Sequence, residues 1–147
     1  MIEIQPMVSG EVAQVRAILI AGLTERWGRY DAGFNPDIEA FPESYRDALT
    51  LVARDVTGPV GTGTLKFIGQ GQAEIVRMSV AHTHRQRGIG GDILSALLEA
   101  AQSRGYQSVV LETTSVWVSA VNFYLSHGFR KTHERGDDTF FEYVWPG

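Results

Sequence analysis

A chain of 147 residues that is 44% hydrophobic and 20% charged has the makeup of a soluble globular domain, long enough to bury roughly two thirds of its unfolded surface. Thirteen basic against seventeen acidic residues leave a formal net charge of −4, which argues against general nucleic-acid binding and mildly favours a cationic or amine substrate. Cysteine is absent, which excludes disulfides, thiolate zinc sites and any covalent intermediate on a cysteine.

The opening MIEIQPMVSG lacks the charged-then-apolar order of a signal peptide and no run reaches 18 apolar residues, so the expectation is a cytoplasmic protein without membrane contact. Ile2–Met7 alternates enough for a first strand. Ser9 or Gly10 can cap a helix running to about Leu23, with Val12, Val15, Leu19 and Leu23 on one face. Glu25–Asp31 and Phe34–Asp37 then mix aromatics, charges and turn formers, which predicts an ordered loop with one short helix near Ile38–Arg46. Leu49–Asp55 and Val60–Ile68 read as strands joined at Val56-Thr57-Gly58-Pro59. Gly61 and Gly63 weaken the second of these, which points to another backbone or a ligand passing close.

The stretch Ala73–Gly105 organises the rest. An apolar strand closes at Met78-Ser79-Val80, a basic loop follows at Arg85-Gln86-Arg87-Gly88-Ile89-Gly90, and a helix carries Ile93, Leu94, Leu97, Leu98 and Ala101 on one face. Free N–H groups at a helix start, two glycines and two arginines make an anion cradle suited to a pyrophosphate. No Gly-Lys-Ser/Thr follows, which removes a P-loop, and Ile93 stands where a dinucleotide fingerprint needs Gly or Ala. A plain strand-to-helix turn remains the alternative. Downstream, Ser108–Leu111 reads as a buried parallel strand, Thr114 or Ser115 as the cap of a helix to His127 stopped by Gly128. Phe129–Glu134 and Thr139–Trp145 close the chain as a hairpin around Arg135–Asp138. The order βα(α)βββαβαββ predicts one α/β (α+β) domain over residues 1–147 with a mixed sheet.

Taken together, Met78-Ser79-Val80, Arg85-x-x-Gly88-x-Gly90 and Ala120-x-x-x-Tyr124-x-x-x-Gly128-Phe129 resemble the GNAT superfamily of acyl-CoA N-acyltransferases. The resemblance is strong over residues 73–130 and rests on element order elsewhere. It implies a mixed, mostly antiparallel sheet flanked by helices on both faces, acetyl-CoA as co-substrate and a primary amine as acceptor, small molecule or protein. It also implies that Gln86–Gly91 (Gln86, Arg87, Gly88, Ile89, Gly90, Gly91) and Arg85 hold the pyrophosphate, that the backbone of Met78, Ser79 and Val80 takes the pantetheine arm, and that the amide near Met78 bonds the thioester carbonyl. Their side chains are strand core on either reading. The region of Trp27 and Tyr30 falls on the acceptor side, and both rings are costly to leave exposed without a role.

Two residues take the chemistry. Tyr124 is the candidate general acid for the leaving thiolate, sharing a helix face with Trp117 and Ala120; the alternative is a core Tyr with a satisfied hydroxyl. Glu74 is the candidate base, placed as in the histone-acetylating branch of the family. Four residues of strand from Glu74 to Met78 span about 13 Å, so it needs a water relay; otherwise it is a strand-end carboxylate paired with a nearby Arg. Where many family members carry Asn seven residues before the Tyr, this chain has Trp117, expected to wall the cofactor tunnel. His82-x-His84 lacks an acidic or Cys partner in register, so no metal is expected, and His127 and His133 show no partner. Nucleic acid is not expected as a partner, and a homodimer is compatible with the reading. The competing class is an acyl-CoA-binding regulatory protein that kept the cradle and lost catalysis.

Overall fold

The computed structural model describes residues 1–146. Seven strands form one sheet: β1 (Glu3–Pro6), β2 (Leu49–Asp55), β3 (Gly58–Gly69), β4 (Gln72–Val80), β5 (Ser108–Thr114), β6 (Arg130–Arg135) and β7 (Asp138–Val144). Their spatial order is β1-β2-β3-β4-β5-β7-β6, and every neighbouring pair is antiparallel except β4 with β5. Four α-helices accompany the sheet among the described residues: α1 (Val12–Trp27), α2 (Pro36–Glu39), α3 (Ile89–Ser103) and α4 (Val118–Ser126). This is the mixed, mostly antiparallel arrangement expected, with helices on both faces. None of these helices is long and apolar enough to cross a membrane.

Burial follows the sequence pattern. α3 lays Ile89, Ile93, Leu94, Leu97 and Ala101 on one sheet face, against Leu51, Val60, Leu65, Ala73 and Ile75. Fully burying each large aliphatic side chain contributes about 1.5–3 kcal/mol, so this face is the main stabilising layer. On the opposite face, α1 and α2 enclose Val15, Leu19, Ile38, Phe41 and Val52. The glycines of β3 serve this packing rather than a ligand. A Cβ on Gly63 would sit 2.5 Å from Met78 Sδ and 2.9 Å from Leu97 Cδ1, and one on Gly61 would lie 3.0 Å from Ile93 Cδ1.

Three differences from the sequence reading bear on the site. α1 does not stop at Leu23 but continues to Trp27 and is closed by Gly28, in the left-handed conformation at φ 81°. Glu25, Arg26 and Trp27 therefore lie on its last turn and not in a loop. The short helix starts at Pro36, where proline's fixed φ suits the first helical position, and only a 3-10 turn at Glu43–Tyr45 follows. Thr114 and Ser115 do not cap α4. Thr114 pairs with Asp138, and the Ser115 N–H donates to the Asp137 carbonyl at 2.8 Å, which extends β5 and leaves Trp117 as the N-cap.

Two irregularities of β4 position the site. Its parallel pairing with β5 covers only Gln72–Ser108, Ala73–Val109 and Glu74–Val110, after which the strands part. Opposite β3, the register passes from Val76–Thr64 to Ser79–Thr62, so Arg77 and Met78 together face Gly63 in a β-bulge. Arg77 takes a positive φ of 54°, a conformation a non-glycine residue adopts only under constraint.

Candidate active site

A cleft of about 1360 Å³ opens where β4 and β5 part, well above the size of a pocket for one small ligand. Its floor is the edge of β4 from Ile75 to Val80, whose backbone has no strand beside it on the β5 side. At one end stands the turn into α3. Gln86 and Gly88 both adopt positive φ, 63° and 78°, and Gly88 is the N-cap of α3. A Cβ at Gly88 would meet nothing within 4 Å, so the space before the helix N-terminus is open to an anion.

The two arginines of the turn behave differently. Arg85 lines the cleft, donates from Nε to the Val80 carbonyl at 3.2 Å and forms an ion pair with Glu25 on α1, which lowers the Glu25 pKa. Arg87 is exposed and lies outside the cleft lining. His127, at the end of α4, was not singled out from the sequence. Its Nδ1 lies 2.7 Å from the Phe123 carbonyl, which can only accept, so Nδ1 carries the proton. Nε2 then faces the first turn of α3, 2.9 Å from where a Gly91 Cβ would be. His82 and His84 turn to different partners, Glu25 at 3.8 Å and Asp55 at 2.9 Å, so the pair does not converge on one ion.

Tyr124 enters the cleft from α4 with Trp117, Ala120 and Phe123. Its ring packs on Phe123, Phe129 and Phe141, with centroids 5.1, 5.7 and 5.9 Å away, and only 9% of the residue is exposed. No buried polar side-chain atom among the described residues lacks a partner, and the phenol oxygen has none, so that oxygen opens into the cleft. Burial pushes the phenol up to about 12, against a smaller downward pull from Arg26. The group is therefore a proton carrier at any working pH.

The end of α1 crosses above this floor. Trp27 packs on Trp117 at 5.1 Å, and the Arg26 guanidinium lies 4.7 Å from the centre of the Trp117 ring. With Glu25 on Arg85, the last turn of α1 touches both banks of the cleft. Tyr30 does not join it. Its ring packs on the α1–α2 core, its hydroxyl donates to Glu39 at 2.5 Å, and burial followed by that carboxylate pushes its phenol up to about 12.

The other end of the cleft is acidic. Glu74 lies 3.8 Å from Lys66 on β3, and Glu112 and Asp138 line the same space from β5 and β7. Burial first, then the charges of Asp138 and Glu74, raise the Glu112 carboxyl. The cleft thus has a helix N-terminus and Arg85 at the α3 end and three carboxylates at this one. Between them Arg77 reaches α2: Nε and Nη2 each donate to Asp37 at 2.8 Å, and Nη2 also donates to Asn35 at 3.1 Å. Burial would raise Asp37, but hydrogen bonds from Arg77 and Tyr45 outweigh it and hold the carboxyl at about 2. Of the residues singled out from the sequence, Trp27, Glu74, Met78, Ser79, Val80, Arg85, Gln86, Gly88, Ile89, Gly90, Gly91, Trp117 and Tyr124 share this cleft, whereas Tyr30 and Arg87 do not. Sequence reasoning missed Arg26, Asp37, Arg77, Glu112 and His127. Only His127 left a signal, three residues beyond Tyr124 on the same helix face.

A sheet that parts after its fourth strand, with a glycine turn feeding a helix at the opening, is the architecture that the resemblance to the GNAT superfamily implies. The chain belongs to the acetyltransferase (GNAT) family, whose model matches residues 13–129. It is similar to human N-acetyltransferase 8B, 31% identical over 128 residues covering 81% of this chain and 54% of that one. It is also similar to rat N-acetyltransferase 8F1, 39% identical over 67 residues covering 46% and 30%. The chain thus spans between about a third and a half of these relatives' lengths. In fold it is similar to a GNAT-family acetyltransferase from Staphylococcus aureus Mu50 (TM-score 0.87, 18% identity, 98% of this chain and 99% of that one). The PaiA N-acetyltransferase of Thermoplasma acidophilum, solved with coenzyme A, matches equally well (TM-score 0.87, 18% identity, 99% of each chain).

Proposed function

We propose that this protein transfers an acetyl group directly from acetyl-CoA to a primary amine, with residues 1–147 acting as one N-acetyltransferase domain. The observation that carries the reading is the unpaired edge of β4 leading into the open turn at Gly88. The edge offers N–H and C=O groups to an amide-rich arm, as a sheet takes an added strand, and the turn offers helix N–H groups to a diphosphate. Met78, Ser79 and Val80 hold the arm by backbone, Gln86 and Gly88–Gly91 take the phosphates, and Arg85 and His127 flank them. Acetyl-CoA supplies the activated acetyl group. An amide on β4 near Met78 steadies the carbonyl oxygen as it gains charge. Tyr124 donates its phenolic proton to the departing sulfur.

The amine must arrive neutral. At pH 7 an alkyl amine with a pKa near 10.4 is only about one part in 2500 deprotonated, a handicap of roughly 4.6 kcal/mol. Glu74, through water, takes up that proton, and the neighbouring Glu112 and Asp138 draw a cationic acceptor to this end of the cleft. Trp27 and Trp117 wall the passage between the two ends.

A thiol-release screen with acetyl-CoA across amine classes tests the reading: small amines, amino acids, polyamines, lysine peptides and peptide N-termini. Free thiol appearing with at least one class is the expected result. Tight acetyl-CoA binding without thiol release from any of them overturns it in favour of an acyl-CoA-binding regulator.

A further inference from the structure

The bulge of β4 places a non-glycine residue in the left-handed region, and such a conformation persists only where its surroundings over-determine it. Here the surroundings are polar and specific. Arg77 grips Asp37 with two nitrogens at 2.8 Å, in the fork geometry that fixes orientation as well as distance. Its Nη2 also reaches Asn35, while Tyr45 donates to the same Asp37 carboxylate and Ser44 Oγ donates to the Asp37 carbonyl at 2.6 Å. All of these partners lie between Asn35 and Tyr45, about forty positions from Arg77 in sequence. The fork joins the segment on the acceptor side to the one strand residue directly before Met78. Asp37 and Arg77 are each about a quarter exposed, so water does not loosen the fork as it does a surface pair.

We infer that the Asp37–Arg77 fork is a positioning device for the transfer reaction: it holds the β4 bulge, and through it the Met78 backbone that faces the thioester. The inference rests on the acetyltransferase reading, because that reading gives the Met78 backbone its task. Both residues line the cleft, but the reading assigns neither of them a proton transfer. The fork also ties the shape of the acceptor side to the shape of the thioester side, so an acceptor that shifts α2 shifts the strand with it.

The test uses the full chain with Asp37→Asn, Arg77→Lys and the two combined. Lysine keeps the charge and loses the fork, whereas asparagine keeps the shape and loses the charge, so the two break the contact in different ways. Amide hydrogen exchange is followed over Gln72–Val80 without ligand, alongside kcat, KM for acetyl-CoA and melting temperature. Exchange near the bulge is expected to speed up at least tenfold, with α3 unchanged. In the active wild-type background kcat is expected to fall 10- to 100-fold with KM for acetyl-CoA within threefold, and the double variant to be no worse than the poorer single one. Exchange within twofold of wild type overturns the inference. So does faster exchange with an unchanged kcat, which reduces the fork to a structural tie. A wild type that binds no acetyl-CoA and releases no thiol sinks the functional reading instead, while the exchange arm still decides whether the fork holds the bulge.

Discussion

Replacing Tyr124 by Phe isolates the proton donor from everything else the residue does. The ring contacts with Phe123, Phe129 and Phe141 remain, and the hydroxyl has no hydrogen-bond partner to lose. Stability at pH 7 should therefore stay within about 0.5 kcal/mol of wild type. The loss in kcat follows from proton affinities. A single general acid contributes roughly 10²–10⁴-fold. A phenol held at about 12 is a reluctant donor to a thiolate whose conjugate acid lies near 8.5, so the lower half of that range applies. The expected fall is about 10²–10³-fold, or roughly 2.7–4.1 kcal/mol of barrier, with acetyl-CoA affinity unchanged because the donor acts on charge that develops only during transfer. The same shift makes a second forecast. Since the folded pKa lies above the unfolded value near 10, the folded state keeps the proton longer. That stabilisation is present below pH 10 and is lost as pH rises through about 12; by pH 11 the loss reaches about 1.4 kcal/mol, which the Phe variant should not show. Steady-state kinetics and urea titrations at pH 7 and pH 11 on the same preparations measure both. A Phe variant with kcat within twofold of wild type refutes the acid role.

Four further outcomes follow from the geometry. Gly88→Glu should abolish thermal stabilisation by acetyl-CoA, since a carboxylate would occupy the open space before α3; equal stabilisation of the variant would place the phosphates elsewhere. Glu74→Gln should lower turnover of high-pKa amines at pH 7 and recover part of it as pH rises, because the deprotonation handicap shrinks by about 1.36 kcal/mol per pH unit; an unaltered pH–rate profile leaves Glu74 as the partner of Lys66 alone. Gly63→Ala should cost about 1–3 kcal/mol in urea denaturation, as its methyl collides with Met78 and Leu97, and no change would contradict the packing. Asp37, depressed to about 2, lends stability that is present above pH 4 and lost as pH falls toward 2, an amount of about 2 kcal/mol; Asp37→Asn should flatten that acid limb, and an identical limb would assign the acid sensitivity to other carboxylates.

Local features were legible in the sequence to the extent that they depend on local patterns. Leu49–Asp55 matched its strand to the residue, and the apolar face of α3 was the face buried. The turn at Gly88 also followed from its glycine pattern, while the place of Tyr124 in the cleft was expected from the resemblance. What escaped depended on partners distant in the chain. Arg77 reads as one more polar position of a strand, because nothing in Val76-Arg77-Met78 announces a bulge whose constraint comes from Asp37. Trp27 was placed in a loop because its helix ends for a reason one residue further on, at Gly28. Tyr30 and Arg87 have the residue types of a site, yet neither lines the cleft, and composition carries no information about which way a side chain leaves the backbone.

The parting of β4 from β5 also bears on how the molecule holds itself together before any ligand arrives. Among the described residues, strand pairing between the four-stranded half, β1 to β4, and the three-stranded half, β5 to β7, is confined to three facing residue pairs, while one core packs beneath both. A bound arm lying along Ile75–Val80 would lengthen that seam like a second row of stitches. An open strand edge elsewhere on a protein invites pairing with a neighbouring molecule. Here the edge lies in a trench bridged by Trp27 and Trp117, which a slender chain can enter and a foreign sheet cannot.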